Sequence, residues 1–312
     1  MQLTALIAGL LCGDKLSLAR AITMVENRET GAVTLLKSVY PHTGRARVIG
    51  VTGAPGVGKS TLVDGLAQAY TGTGASTGIV AVDPTSPFSG GAILGDRVRM
   101  RQDPSVFIRS LATRGQLGGL SRATADVVKL MDGSGRDPVI VETVGAGQSE
   151  VDVVKLAHTV VVVVAPGQGD EVQAAKAGIM EIADVFAVNK ADREGADRTA
   201  RELELMLDTA PVKPAWRPPV VMTVARDGTG LQELRAALDR HREFLTSSGE
   251  LQRRARQLVR AELLSALTQE LSARVLAASP ALDELVGKVL ARQLDPHTAV
   301  ECLLARADQG KS

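Results

Sequence analysis

The sequence predicts an α/β fold: a doubly wound, mostly parallel sheet with helical extensions at its N- and C-terminal ends. Short apolar runs rich in β-branched residues recur through the middle of the chain, and helical stretches lie between most of them. Continuous apolar runs suit parallel strands covered on both faces, and strand–helix alternation with short connections implies a doubly wound sheet. Before residue 46 and after residue 248 such runs are missing.

Residues 1–45 read as an N-terminal helical extension. Leu3 to Cys12 has the length of a signal-peptide core, but no Lys or Arg precedes it and no small-residue cleavage site follows. It is read as the apolar face of a first helix. Leu16–Glu26 sets Leu18, Ile22 and Val25 on one side with charges opposite, and Pro41 and Gly44 close the segment. Residues 46–248 read as the α/β domain. Its strands are Val48–Val51, Ile79–Val82, Val106–Ile108, Val139–Val141, Val160–Val164, Val185–Val188 and Val220–Val224. Its helices include Ser60–Tyr70, Leu120–Met131, Ser149–Ala157, Ala174–Ile182 and Thr199–Asp208. Residues 249–312 read as a helical segment that either completes the core or forms an oligomerisation arm: Leu251–Ala273, Leu282–Arg292 and Pro296–Ala305, with breaks at Ser279-Pro280 and Asp295-Pro296.

Composition narrows the function. The 312 residues are 45% hydrophobic and 23% charged, an ordinary globular balance. Thirty-six basic residues against thirty-five acidic ones give no general pull toward nucleic acid or anionic membrane. Aromatic residues are 2%, which leaves little for base-stacking platforms. Cys12 and Cys302 stand far apart and form no CxxC pair, the pattern of reduced thiols in a cytoplasmic protein. No apolar run approaches the roughly 20 residues that cross a bilayer.

Gly53-Ala54-Pro55-Gly56-Val57-Gly58-Lys59-Ser60 matches GxxxxGK[ST], follows a predicted strand and opens a predicted helix, with Thr61 next in line. Glycines let backbone N–H groups turn inward around phosphate oxygens, and the helix N-terminus adds partial positive charge. Lys59 is placed to reach the β- and γ-phosphates, and Ser60 to offer its hydroxyl to Mg²⁺. This is a P-loop. Asn189-Lys190-Ala191-Asp192 follows the strand Val185–Val188 and fits NKxD. A carboxylate there accepts from the ring N–H and exocyclic amine of guanine, whereas ATP would leave Asp192 desolvated and unpaired. The aliphatic stem of Lys190 is long enough to cover one face of the base. The nucleotide is therefore GTP or GDP.

Three further loops belong at strand ends. Asp83 to Arg97 holds two carboxylates, Asp83 and Asp96, as hard oxygen ligands for Mg²⁺; Asp96 reads equally as a solvated loop acid. Glu142-Thr-Val-Gly145-Ala-Gly147-Gln148 stands where most GTPases carry DxxG, with Glu142 one methylene longer than aspartate and Gly145 placed to sense the γ-phosphate. Gln148 either orients the attacking water or opens the next helix. Pro166 to Lys176 reads either as a polar loop into a helix or as a coupling element beside the nucleotide. Thr223-Val224-Ala225 ends the last strand, where a backbone N–H contacts the guanine oxygen.

Together these residues resemble the MeaB/ArgK family of GTPases, bacterial relatives of the human MMAA protein. The resemblance spans nearly the whole chain. It includes Ala21–Asn27, Ala81-Val-Asp-Pro-Thr-Ser-Pro-Phe, Gly95-Asp-Arg, Arg109-Ser-Leu-Ala-Thr-Arg-Gly115, Glu142–Glu150 and Gly167–Lys176. It implies that Ser60, Asp83, Asp96 and Glu142 surround Mg²⁺ and that Asn189, Lys190 and Asp192 meet guanine. It implies that residues 167–176 form an additional switch loop, and that the chain is a homodimer. It also implies an adenosylcobalamin-dependent methylmalonyl-CoA mutase as partner, with the GTPase gating cofactor loading and protecting the mutase. Two departures stand out: Arg97 where lysine is common, and Val224 where serine is usual. The second leaves the Ala225 N–H expected to be available. Competing readings are a transport-associated ATPase or kinase, a metal-insertion GTPase for a nickel enzyme, and a binding-only module. The nickel reading wants Cys/His ligands, and the four histidines, His42, His158, His241 and His297, are scattered.

Overall fold

The computed structural model describes residues 2–84, 103–113, 122–143, 156–167, 182–209, 214–277 and 281–309. These divide into two compact units, Met1–Arg254 and Ala255–Ser312.

In the first unit, the chain opens with α1 (Leu3–Leu11), α2 (Lys15–Glu26) and α3 (Ala32–Val39). Asp14 caps α2, its carboxylate accepting from the Ser17 N–H at 2.8 Å and satisfying one orphan donor of the first turn. Seven strands follow: β1 (Val48–Thr52), β2 (Thr77–Pro84), β3 (Val106–Thr113), β4 (Val139–Thr143), β5 (Thr159–Val164), β6 (Val185–Val188) and β7 (Val220–Met222). They form one sheet in the order β3-β2-β4-β1-β5-β6-β7, and every pairing is parallel. The predicted fold class is observed. Between and after the strands lie α4 (Lys59–Thr71), α5 (Arg122–Gly133), α6 (Ala196–Asp208) and α7 (Leu231–Ser247).

Alternation of side chains along each strand divides the core. Ile49, Val51, Ile79, Ile140, Val161, Val163 and Ala187 face α4 and α7, meeting Leu62, Leu66, Leu234 and Leu238. Val48, Val80, Val139, Val141, Val160, Val162 and Val188 turn to the other face, sharing a cluster with Leu18 and Ile22 of α2, Leu35 of α3, and Leu130 and Met131 of α5. Each fully buried Leu or Ile contributes about 1.5–3 kcal/mol of transfer free energy. Helices α1 to α3 thus bury their apolar faces in the same core as the sheet. Arg109 on edge strand β3 adds an ion pair to Glu26 of α2.

Two expectations are corrected. The strand predicted to reach Val224 stops at Met222, because Val224 bridges Thr229 antiparallel and its carbonyl accepts from the Asp227 and Gly228 N–H groups. Helix α7 was not expected. Its signal is legible in Leu231, Leu234, Ala237, Leu238, His241 and Leu245, a helical spacing that the structure buries. The helices predicted over Ser149–Ala157 and Ala174–Ile182 fall almost wholly outside the described residues.

A polar cluster sits at the amino ends of β5 and β6. The Asp184 carboxylate accepts from the Val160 N–H at 2.9 Å and from both terminal nitrogens of Arg254, each at 2.9 Å. Arg254 also donates to the His158 carbonyl, and Trp216 Nε1 donates to the Asp184 carbonyl. His241 is fully buried, with Nδ1 2.9 Å from Thr159 Oγ1 and Nε2 3.3 Å from Asp184 Oδ1 but off hydrogen-bonding geometry. Burial pushes its pKa down to about 4; Asp184 and Glu250 oppose that shift and Arg254 reinforces it. An unfolded histidine titrates near 6.5. As pH falls through that value the unfolded chain takes up a proton the native ring refuses, so stability is whole above about pH 7 and drains toward pH 4. The loss is expected to reach about 3 kcal/mol. Urea midpoints between pH 8 and 4.5 check this; a midpoint unchanged from pH 7 to 5 would show that His241 takes up its proton in the folded protein.

In the second unit α8 (Glu250–Ala277) continues, followed by α9 (Ala281–Leu290) and α10 (Pro296–Gln309). Val259, Leu263, Leu267 and Leu271 recur every four residues along α8, and each is about half exposed or more.

Candidate functional site

The site is assembled at the carboxyl ends of β1, β4, β6 and β7, where a doubly wound sheet presents ligands at its switch point. β1 runs out at Thr52, residues 53–58 loop over, and α4 begins at Lys59. Gly53 has φ 139°, and a Cβ there would lie 2.1 Å from the Val163 carbonyl oxygen of β5. Gly58, at φ 96°, lies so near Asn189 that a Cβ would meet its Nδ2 at 2.5 Å. Neither position tolerates a side chain without displacing its neighbour.

Lys59 is 6% exposed, and its ammonium donates to the Gly53 carbonyl at 2.7 Å and the Ala54 carbonyl at 2.8 Å. The charge is thereby held across the mouth of the loop. Ser60 Oγ donates to Glu142 Oε1 at 2.6 Å, joining the first turn of α4 to the end of β4. Beside them Thr143 donates to Thr52 across the β1–β4 pair at 3.1 Å. Asp83 lies on β2, in register with Ala112 of β3. Asp96, Gly145, Gln148 and residues 168–176 lie outside the described residues.

Asn189 follows β6 and is 2% exposed. Its Nδ2 donates to the Val57 carbonyl at 2.8 Å, while its Oδ1 accepts from the Ala225 N–H at 3.0 Å and from Thr223 Oγ1 at 3.3 Å. One side chain thus pins the phosphate loop to the loop after β7. Lys190 adopts φ 58°, an uncommon left-handed conformation for a side-chain-bearing residue, and its ammonium donates to the Gly56 carbonyl at 2.6 Å. Asp192 Oδ2 forms an ion pair with Arg226 at 3.7 Å. Val224 and Ala225 are buried beneath.

The structure therefore brings Lys59, Ser60 and Glu142 together, and separately joins Asn189, Lys190 and Ala225 to the phosphate loop. One expectation is corrected: the Ala225 N–H is not free but engaged by Asn189 Oδ1. Three contributions escaped the sequence. The bracing role of Asn189 spans 132 residues to Val57, and no local spacing announces it. The Thr52–Thr143 hydroxyl pair depends on strand register. Arg226 belongs to none of the motifs, and only the fold sets it beside Asp192.

The two oxygens of Ser60 and Glu142 converge beside the P-loop, and hydroxyl plus carboxylate is a donor set that suits a hard dication. This fits the Mg²⁺ of a nucleotide site.

Comparison with known proteins agrees with this geometry. Residues 18–280 match the family model described as methylmalonyl Co-A mutase-associated GTPase MeaB. A relative from Pyrococcus horikoshii, provisionally named a GTPase, is 48% identical over 307 residues, covering 96% of this chain and 97% of that one. The mitochondrial methylmalonic aciduria type A homolog of Caenorhabditis elegans is 35% identical over 271 residues, covering 80% of this chain and 68% of its own. Among solved structures, one described as a LAO/AO transport system kinase superposes with a TM-score of 0.74 at 26% identity, covering 97% of this chain and 96% of that one. With its P-loop architecture and this family match over most of its length, the chain belongs to the MeaB family of GTPases.

Proposed function

We propose that the chain is a Mg²⁺-dependent GTPase that serves an adenosylcobalamin-dependent methylmalonyl-CoA mutase, gating cofactor loading and protecting the mutase from inactivation. The observation that carries the chemistry is the convergence of Lys59, Ser60 and Glu142 on one mouth of the sheet, with Asn189 tying that mouth to the base loop. The family description and the methylmalonic aciduria homolog support the client.

In this reading Gly53 to Thr61 cradle the phosphates through backbone N–H groups at the start of α4. Lys59 swings from the Gly53 and Ala54 carbonyls to the β- and γ-phosphates and stabilises charge on the transferring phosphoryl group. Ser60 and Glu142, with Asp83 and Asp96, hold Mg²⁺, which neutralises charge developing between the phosphates when bound. Asp192 accepts from guanine, the Lys190 stem covers the ring, and Val224-Ala225 lies against its edge. Ala225 reaches the guanine oxygen only by sharing its N–H with Asn189. Gly145 senses the γ-phosphate, Gln148 orients water, and residues 167–176 couple nucleotide state to the mutase. A second copy of the chain covers the half-exposed Val259-Leu263-Leu267-Leu271 face of α8, giving a homodimer.

The test is GTP turnover with and without the methylmalonyl-CoA mutase of the same source, on a sample whose mass is measured by sedimentation. Acceleration with GTP and none with ATP is expected, from a particle of twice 32.7 kDa. Unchanged turnover and no nucleotide-dependent association would remove the client, and a monomer would remove the dimer. A preference for ATP would favour a transport-associated kinase, the role in the name of the LAO/AO transport system kinase whose structure superposes.

A further inference from the structure

We propose that Arg226 is a positioning residue for guanine recognition, holding the Asp192 carboxylate in the orientation that meets both donors of the base. This rests on the reading of Asp192 as the guanine acceptor. The loop from Thr223 to Gly230 is a stiff turn. Val224 donates to and bridges Thr229, Asp227 and Gly228 return N–H bonds to the Val224 carbonyl, and the Asp227 carboxylate accepts from the Thr229 N–H at 3.0 Å. That turn fixes the backbone from which Arg226 projects.

Among the described residues, the other neighbouring side chains give Asp192 no hydrogen bond. Val224 and Ala225 are apolar, Thr223 Oγ1 is committed to Asn189, and Lys190 reaches away to the Gly56 carbonyl. Where the resemblance leads one to expect a serine hydroxyl, Val224 supplies none, and the cation two residues on stands at ion-pair distance from Oδ2. A carboxylate on a partly exposed loop turns freely about its last torsion unless something holds it. Guanine presents two donors side by side and needs both oxygens in its plane. Hypoxanthine, lacking the exocyclic amine, needs one, so a held carboxylate favours GTP over ITP more than a free one does.

The Arg226 side chain is 81% exposed and that of Asp192 43%, so water and salt screen the pair and its contribution is small. Fluorescent-GDP binding and GTP/ITP competition on the full chain read it. At low salt, Arg226→Ala is expected to weaken GDP binding about twofold to fivefold and to lower the GTP-to-ITP ratio by a similar factor. Arg226→Lys should restore most of both, and about 0.5 M salt should bring wild type down to the alanine variant. The melting temperature should not move, which separates this role from a structural one. An unchanged GDP affinity and GTP-to-ITP ratio in Arg226→Ala overturns the proposal. Asp192→Asn serves as the control, expected to shift preference from GTP toward XTP, whose ring offers an acceptor where guanine has its amine. If it does not, the guanine reading itself fails, and this inference with it.

Discussion

Lys59→Ala is expected to lower kcat for GTP hydrolysis by about 10²–10³-fold while the protein stays folded. The side chain is nearly buried, and its ammonium donates to the carbonyls of Gly53 and Ala54 at the opening of the loop. A cation so held is preorganised: it meets phosphate charge after a short swing and without recruiting solvent. Removing one such donor from a water-excluded site typically costs that factor in rate. Single-turnover hydrolysis at saturating GTP is the measurement, with circular dichroism melts alongside. A variant that turns over at the wild-type rate would mean that Lys59 serves binding alone or lies away from the phosphates.

Arg254→Ala is expected to cost about 3–5 kcal/mol of stability, the largest single effect foreseen outside the site. Asp184 is buried, and Arg254 meets it with two nitrogens at 2.9 Å. Truncating the arginine leaves the carboxylate with the Val160 N–H, Nε2 of a neutral His241 outside hydrogen-bonding geometry, and no counter-charge among the described residues. For a unit of this size that loss lowers the melting temperature by about 10 °C. A double variant, Arg254→Met with Asp184→Asn, should recover part of the loss, since it removes the stranded charge with its partner. If Arg254→Ala costs less than about 1 kcal/mol, Asp184 is solvated enough to dispense with the pair. Hydrolysis should stay near wild type below the melting range, because the cluster lies at the amino end of β6 and the nucleotide motifs at its carboxyl end.

The acidic residues near the site illustrate how far local pattern reaches. Glu142 was identifiable from its place after an apolar run and before a glycine-rich loop. Its hydrogen bond to Ser60 was not, because the two residues are 82 positions apart and meet only once β4 lies beside β1. Asn189 was read as a base contact, and the structure gives its amide both the phosphate loop and the base loop to hold. The engaged Ala225 N–H follows from that double duty.

By itself, then, the sequence determined what depends on neighbours in the chain. Short continuous apolar runs and period-3.6 patterns set seven strands and most helices, and the spacing of glycines and lysine set the phosphate loop. The four residues from Asn189 to Asp192 set a base motif, for the same reason: each is a short segment whose chemistry is complete within itself. Tertiary structure decided what depends on distance across the fold. It chose the strand order that places β4 and β5 on either side of β1, folded α1 to α3 into the sheet's own core, and bound Asp184 to Arg254. It also set Arg226 against Asp192. Contacts between residues tens of positions apart form only after the chain has spent the entropy of closing those loops, and no local periodicity records which pairs will repay it.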